Sequence, residues 1–251
     1  MFTKIDDLLS SFARTTDEIF SLDELKLLLD SGRKLRIKYG VDVTAPQLHI
    51  GHAVNLWMMR ALQDAGHKVI FLIGDYTTSI GDPTGKNKLR PIISNEEIKA
   101  NTEMFIRQVK MVLRFEPELL EIRRNSEWLD KLSSRELLNL LSMVTHNRLL
   151  SREMFQRRIS AGEDIYMHEA IYPVLQGYDS VALESDLTII GTDIMVQKPP
   201  PLKKSGLNRL FLNGKYLMKY QRCIVQLINS AHLSCCANGL VVRSQIVLCA
   251  V

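Results

Sequence analysis

Two histidines, His49 and His52, stand three residues apart in the stretch VDVTAPQLHIGHAVNLWMMRALQDAG, with Gly51 between them and an apolar-periodic run behind. Imidazole N–H groups donate to anionic oxygens, and two rings at this spacing on a helix start can lean over one ligand. The unpaired backbone N–H groups and the dipole of a helix N-terminus favour the same anion. Gly51 removes a side chain where a phosphate or a flat base must come close. The pattern points to nucleotide phosphates. A plainer role stands beside it, in which one histidine caps the helix and the other is half buried.

Two further segments carry groups suited to a polar ligand. GDYTTSIGDPTGKNKLRP, residues 74 to 91, leaves the apolar run VIFLI and holds Gly74, Gly81 and Gly85 with Asp82, Lys86 and Arg90. Asp82 can accept from an ammonium, and Lys86 and Arg90 can reach phosphate. Read alone, the same residues make a basic turn with Pro83 at its second position. In YPVLQGYDSV, residues 172 to 181, Tyr172 and Gln176 are four apart and Asp179 continues their line one turn on. That stripe fits either a small polar ligand or a solvated outer face.

The elements that must position these groups are legible in the periodicity. Ser21 with Glu24, Ser94 with Glu97 and Ser133 with Glu136 each head a periodic run, the reciprocal capping pattern of helix starts. The first such helix stops at Gly32, and KLRIKYGV after it alternates as a strand does. The histidine loop and a helix to Gly66 follow, then HKVIFLIG, whose near-continuous apolar run predicts a strand buried on both faces. A long helix from Ser94 to about Leu113, LLEIRR, helices near 133 to 142 and 145 to 158, a helix containing Pro173, and the strand LTIIG complete the series. Strand, crossover helix and strand in alternation predict an α/β fold with a doubly wound parallel sheet and a helical insertion. The expected division is an N-terminal helical segment at 1–33, a nucleotide-binding catalytic unit at 34–193, and a basic, cysteine-containing tail at 194–251. In such a sheet ligands bind beyond the carboxyl ends of the strands, where the first two segments fall, and the third lies on a helix facing the sheet.

Composition breaks at one point. All 28 acidic residues lie at or before Asp193, so the front carries a net −4 and the remaining 58 residues a net +8. The basic balance belongs to the tail and says nothing about the front's partners. The four cysteines, Cys223, Cys235, Cys236 and Cys249, also lie in the tail, at a spacing that fits no zinc pattern, and no metal site is expected. A cysteine-free front suits a reducing cytoplasm. MFTKIDDLLSSFART has acidic residues where an export signal needs an apolar core. The least charged window, roughly 224 to 242, holds Gln226, Asn229, His232 and Asn238, too polar for hydrocarbon. The expectation is a protein of the cytoplasm with no membrane segment.

Taken together, YGVDVTAPQLHIGH, IGDPTGK, YPVLQGYDS and LTIIGTD resemble the bacterial type of tyrosyl-tRNA synthetase, over about residues 20 to 193. The HIGH tetrapeptide is shared by class I synthetases and related nucleotidyl transferases, whereas its combination with QGYDS is specific to tyrosine. Val43 stands where that family usually has proline. The resemblance implies a Rossmann-like catalytic domain that joins L-tyrosine and ATP into tyrosyl-adenylate, with Mg2+ accompanying the ATP, and then charges tRNA(Tyr). It implies that Asp42, Thr44, His49, Gly51, His52, Gly191 and Asp193 line the ATP site. His49 and His52 would stabilise charge on the attacked phosphate by preorganised electrostatics. Lys86 and Arg90 would lie near pyrophosphate or the tRNA end. Tyr172, Asp82 and Gln176 would hold the tyrosine ammonium, and Asp179 would accept from the phenol hydroxyl. Lys38, where many relatives have a tyrosine, would also meet that hydroxyl. The family is dimeric through helices near 125 to 160, so a homodimer is expected.

The resemblance stops at Asp193. Ile194 replaces an expected glutamine, KKSG at 203 to 206 is too early for the family's KMSKS loop, and the anticodon-reading domains have no counterpart. The simultaneous loss of motif, carboxylates and periodicity predicts an out-of-frame or otherwise aberrant end on a true synthetase front, with impaired activity. A basic RNA-binding tail, with Phe211, Tyr216 and Tyr220 among its cations, is the alternative. On that view the chain is a non-catalytic fragment that binds tyrosine, ATP or RNA.

Overall fold

The computed structural model describes residues 5–12, 15–19, 22–80, 93–191 and 244–248. Four parallel strands form its centre: β2 (Arg36–Val41), β3 (Lys68–Ile73), β4 (Leu120–Arg124) and β5 (Leu187–Gly191), in the spatial order β4-β3-β2-β5. The alternating strand and helix pattern does produce the parallel α/β core expected of it. Two strands beyond β5 run the other way. A strand from the C-terminal segment, Ser244–Leu248, pairs antiparallel with β5, and a strand near the N-terminus, Thr16–Ile19, pairs parallel with it. They are β6 and β1. The 1–33 segment, expected to be helical, therefore contributes an edge strand as well as two helices, α1 (Ile5–Phe12) and α2 (Leu22–Asp30).

Alternation along the central strands sorts their side chains onto two faces. Ile37, Tyr39, Val41, Val69, Phe71, Ile73, Leu187 and Ile189 join one cluster with Leu8, Leu25 and Leu29 of α1 and α2. The same cluster holds Leu56, Met59 and Leu62 of α3 (Ile50–Asp64), and Ile98, Phe105 and Val109 of α5 (Asn95–Val109). Phe71, fully buried, contributes on the order of 2–3 kcal/mol by leaving water. The opposite face carries Ile70 and Leu72 against Leu183 and Trp128. Lys38, in register with Ile70 and Thr188, points to that same face. It is covered by α10 (Met167–Ala182), whose Ser180 hydroxyl meets that of Thr188 at 3.3 Å.

Local chemistry sets the helix ends. Ser94 and Ser133 accept from the backbone N–H of Glu97 and Glu136, whose carboxylates return the bond, so both of these capping boxes form, on α5 and on α7 (Ser134–Leu141). Ser21, the third, lies outside the described residues. Gly32 and Gly66 follow α2 and α3 with φ of 67° and 92°, the left-handed geometry that glycine adopts without penalty. The run at 145–158 divides into α8 (His146–Leu150) and α9 (Glu153–Ser160), because Arg152 between them is extended and buried. The stretch after β3 opens as a short helix, α4 (Asp75–Ile80), where the hydroxyls of Thr77 and Thr78 fold back on the Gly74 carbonyl. A further short helix, α6 (Ser126–Leu129), follows β4.

Candidate active site

The polar groups converge beyond the carboxyl ends of β2, β3 and β4. Asp42 follows β2, Thr77 sits in the first turn after β3, and Asn125 and Trp128 follow β4. Over them lies α10, which presents Tyr172, Gln176 and Asp179 on neighbouring turns. The Tyr172 hydroxyl donates to Asp42 Oδ2 at 2.9 Å, and the Thr77 hydroxyl donates to Asp42 Oδ1 at 2.7 Å. Asn125 Nδ2 donates to Thr77 Oγ1 at 3.0 Å and reaches Asp179 Oδ2 at 3.5 Å. The Trp128 indole N–H donates to Asp179 Oδ1 at 2.9 Å. One hydrogen-bonded chain thus runs from Tyr172 through Asp42, Thr77 and Asn125 to Asp179.

Close packing makes the chain possible. A side chain on Gly74 would put its Cβ 2.2 Å from Asp42 Oδ1 and 2.5 Å from Thr77 Oγ1. Gly74 is therefore needed for the approach of its neighbours, with its own N–H held by the Val41 carbonyl at 2.8 Å. The Thr78 hydroxyl accepts from Val43 N–H at 3.0 Å, tying the ends of β2 and β3 together.

Asp179 and Lys38 are the buried charges of this site, at 3% and 1% exposure. Burial pushes the Asp179 carboxyl up to about 6, and the charge of Asp75 adds to the rise. The Lys38 charge and the bonds from Trp128 and Asn125 pull the other way without cancelling it. Near neutral pH the group is an ionised acceptor whose solvation comes from fixed protein donors. Lys38 Nζ donates to the backbone carbonyl of Gln176 at 3.1 Å.

His49 and His52 stand at the start of α3, on the same edge of the sheet. Their Nδ1 atoms accept reciprocally: Gly51 N–H donates to His49 at 3.1 Å, and His49 N–H donates to His52 at 3.2 Å. The rings lie 3.9 Å apart between centroids, and His52 meets Phe105 edge-on. An imidazole that accepts at Nδ1 carries its proton at Nε2 when neutral. The capping role is thus the one this geometry shows, with both Nδ1 atoms serving the start of α3.

Of the residues singled out by sequence, Tyr172 bonds Asp42 directly, Asp179 joins them through Asn125 and Thr77, and Lys38 bonds the main chain of Gln176. His49, His52 and the buried Gly51 form their own cap, exposed Thr44 lies in the loop between, and Gly191 ends β5. Asp82, Lys86, Arg90 and Asp193 lie outside the described residues. Sequence reasoning missed Thr77, Asn125 and Trp128. Sequence alone gives LLEIRR no element; once it is seen as β4, NSEWL falls at its carboxyl end. Among the described residues no cluster of three or more His, Cys, Asp or Glu could hold a metal ion.

A parallel α/β sheet with polar groups gathered over its carboxyl edge and a histidine-capped helix start beside them defines a Rossmann-like domain of the class I synthetase kind. The model of the family of class I tRNA synthetases for tryptophan and tyrosine matches residues 30–195, and the chain belongs to that family. It is 49% identical over 189 residues to a tyrosine–tRNA ligase of Deinococcus radiodurans, covering 75% of this chain and 46% of that protein. With a tyrosine–tRNA ligase of Ralstonia nicotianae the identity is 53% over 163 residues, 65% of this chain and 41% of that one. The chain thus spans less than half the length of these relatives. Among solved structures it is similar to a C-terminally truncated mitochondrial tyrosyl-tRNA synthetase of Aspergillus nidulans, with a TM-score of 0.62 and 25% identity. That match covers 70% of this chain and 53% of the other.

Proposed function

We propose that the chain carries the amino-acid-activating site of a tyrosine–tRNA ligase. The observation that carries this reading is the buried carboxylate of Asp179, ionised near neutral pH and held by Trp128 and Asn125 at the head of a polar chain leading to Tyr172. A phenol hydroxyl donating to Asp179 replaces part of the water that burial removed, and an amino acid without the hydroxyl leaves the carboxylate one donor short, with only Trp128 and the long bond from Asn125. At the other end, Tyr172 and Asp42, together with Asp82 and the Gln176 side chain, receive the ammonium. Asp42 Oδ2 orients the Tyr172 hydroxyl by accepting its hydrogen bond.

Activation needs no side-chain nucleophile. A tyrosine carboxylate oxygen attacks the α-phosphorus of ATP, the bond to pyrophosphate breaks, and tyrosyl-adenylate results. The Nε2–H donors of His49 and His52, fixed by the reciprocal cap, face the charge that develops on the phosphate, with Asp42, Thr44, Gly51, Gly191 and Asp193 around the nucleotide. Lys86 and Arg90 act towards pyrophosphate. Mg2+ enters bound to the ATP phosphates as part of the substrate. In the second step the terminal ribose hydroxyl of tRNA(Tyr) attacks the tyrosyl carbonyl and AMP leaves. The reading places the chain in the cytoplasm as a homodimer; no helix among the described residues is long and apolar enough to cross a membrane.

Exchange of labelled pyrophosphate into ATP tests the reading. Slow exchange that depends on tyrosine supports it. Tyrosine binding with no exchange reduces the chain to a non-catalytic binder, and the loss of both overturns the assignment.

A further inference from the structure

The loop that leads into the histidine cap is held from a second helix. Residues 44–47 are exposed bends between β2 and α3. Three side chains of α5, Asn101, Phe105 and Gln108, stand four and three residues apart and so share one side of that helix. Each reaches the histidine segment. Asn101 Nδ2 donates to the Val43 carbonyl at 2.9 Å, and the Phe105 ring meets that of His52 edge-on, with 6.2 Å between centroids. Gln108 makes two bonds to the loop: its Oε1 accepts from Leu48 N–H at 3.0 Å, and its Nε2 donates to the Pro46 carbonyl at 3.1 Å. A further bond, from Nε2 to the Met104 carbonyl at 3.0 Å, ties the amide to its own helix. Both amide hydrogens and the carbonyl oxygen are therefore engaged, and only this orientation of the amide serves one donor and two acceptors together. Leu48 immediately precedes His49, whose N–H and ring belong to the cap of α3.

Resting on the nucleotide-site reading, we infer that Gln108 is a positioning residue for ATP: from α5 it fixes the end of the loop, so that His49 and His52 are presented to the nucleotide in one frame. It acts through the backbone of Pro46 and Leu48 rather than on the nucleotide itself. A loop already held in its binding shape does not have to be ordered by the ligand. Where the competent shape is only part of the population, the apparent affinity falls by that fraction. Asn101 pins the start of the loop at Val43. Removing the Gln108 amide therefore frees the end next to the histidines and leaves the start attached.

The test is Gln108→Met, which keeps the length and the helix propensity of the side chain and lacks both bonds to the loop. Binding of ATP and of L-tyrosine to the full chain is measured by calorimetry, and amide hydrogen exchange over residues 43–49 by mass spectrometry. ATP affinity is expected to fall roughly fivefold or more, with tyrosine affinity kept within about twofold. Exchange should quicken over 43–49 and stay unchanged in α10. Unchanged ATP affinity beside quickened exchange overturns the inference, and so does unchanged exchange over the loop whatever happens to ATP. An equal loss for both ligands also overturns it, because Gln108 then only supports the fold. A native chain that does not bind ATP overturns the nucleotide-site reading itself, and the inference with it, before any variant is made.

Discussion

Gly74→Ala probes the junction on which the site depends. The added Cβ meets Asp42 Oδ1 at 2.2 Å and Thr77 Oγ1 at 2.5 Å, with the Val41 carbonyl at 3.3 Å. Both side chains must retreat by about 1 Å to reach ordinary contact. They cannot do so independently. Thr77 is also fixed by Asn125 at 3.0 Å, and Asp42 holds Tyr172 at 2.9 Å through its other oxygen. Overpacking costs about 1–3 kcal/mol, and loss of a hydrogen bond to a carboxylate about 1.5–3 kcal/mol. Because moving Asp42 relieves the overlap while breaking the bond, the two overlap and the expected loss is about 2–4 kcal/mol. Urea unfolding measures it, with Gly40→Ala as control. There the new Cβ meets only Leu72, at 3.6 Å, and stability should stay within about 0.5 kcal/mol. Tyrosine affinity should fall for Gly74→Ala and hold for Gly40→Ala. Equal stability and equal binding in the two variants would refute the argument that Gly74 is required for the Asp42–Thr77 contact.

Three other outcomes are expected. Burial raises the Asp179 carboxyl to about 6 from 3.8, so the folded state keeps its proton over that interval while the unfolded chain has lost it. Ionisation then removes stability as pH rises through the window. Asp179→Asn should therefore melt above the native protein at pH 8 and converge with it near pH 4, and a difference constant with pH would contradict this. His49→Asp keeps an acceptor at the helix cap but sets an anion against phosphate. Stability should stay within about 0.5 kcal/mol, while ATP affinity falls roughly tenfold or more; unchanged nucleotide binding would remove the histidines from the proposed site. Ser94→Ala takes away the acceptor that caps α5 and should cost about 1 kcal/mol in unfolding experiments, with no change in tyrosine binding.

Where a local pattern and its tertiary setting agree, the sequence was enough. HKVIFLIG became β3 because its unbroken apolar run suits a strand covered on both faces, and five of its six strand residues are buried. Ser94 with Glu97 found the start of α5 because both partners of that cap lie within one turn. Tyr172 and Asp179 share a buried side of α10, where their spacing alone had left a solvated outer face open. What escaped depends on distant partners. Trp128 meets Asp179 across 51 positions, and nothing local marks an indole N–H as a carboxylate's donor. The strands β1 and β6 pair with each other and β6 with β5, so TDEI and SQIVL acquire strand geometry from edges that no nearby residue announces. The segment after β3 read as a loop from its glycines and Pro83, yet it opens as a short helix in which the Thr78 hydroxyl folds onto the Gly74 carbonyl.

The most direct measurement is equilibrium dialysis of the full chain against labelled L-tyrosine and L-phenylalanine. The buried, donor-held Asp179 carboxylate predicts one saturable tyrosine site, with phenylalanine bound at least roughly tenfold more weakly. Indistinguishable affinities, or no retention of tyrosine at any concentration, would contradict a pocket built around that carboxylate.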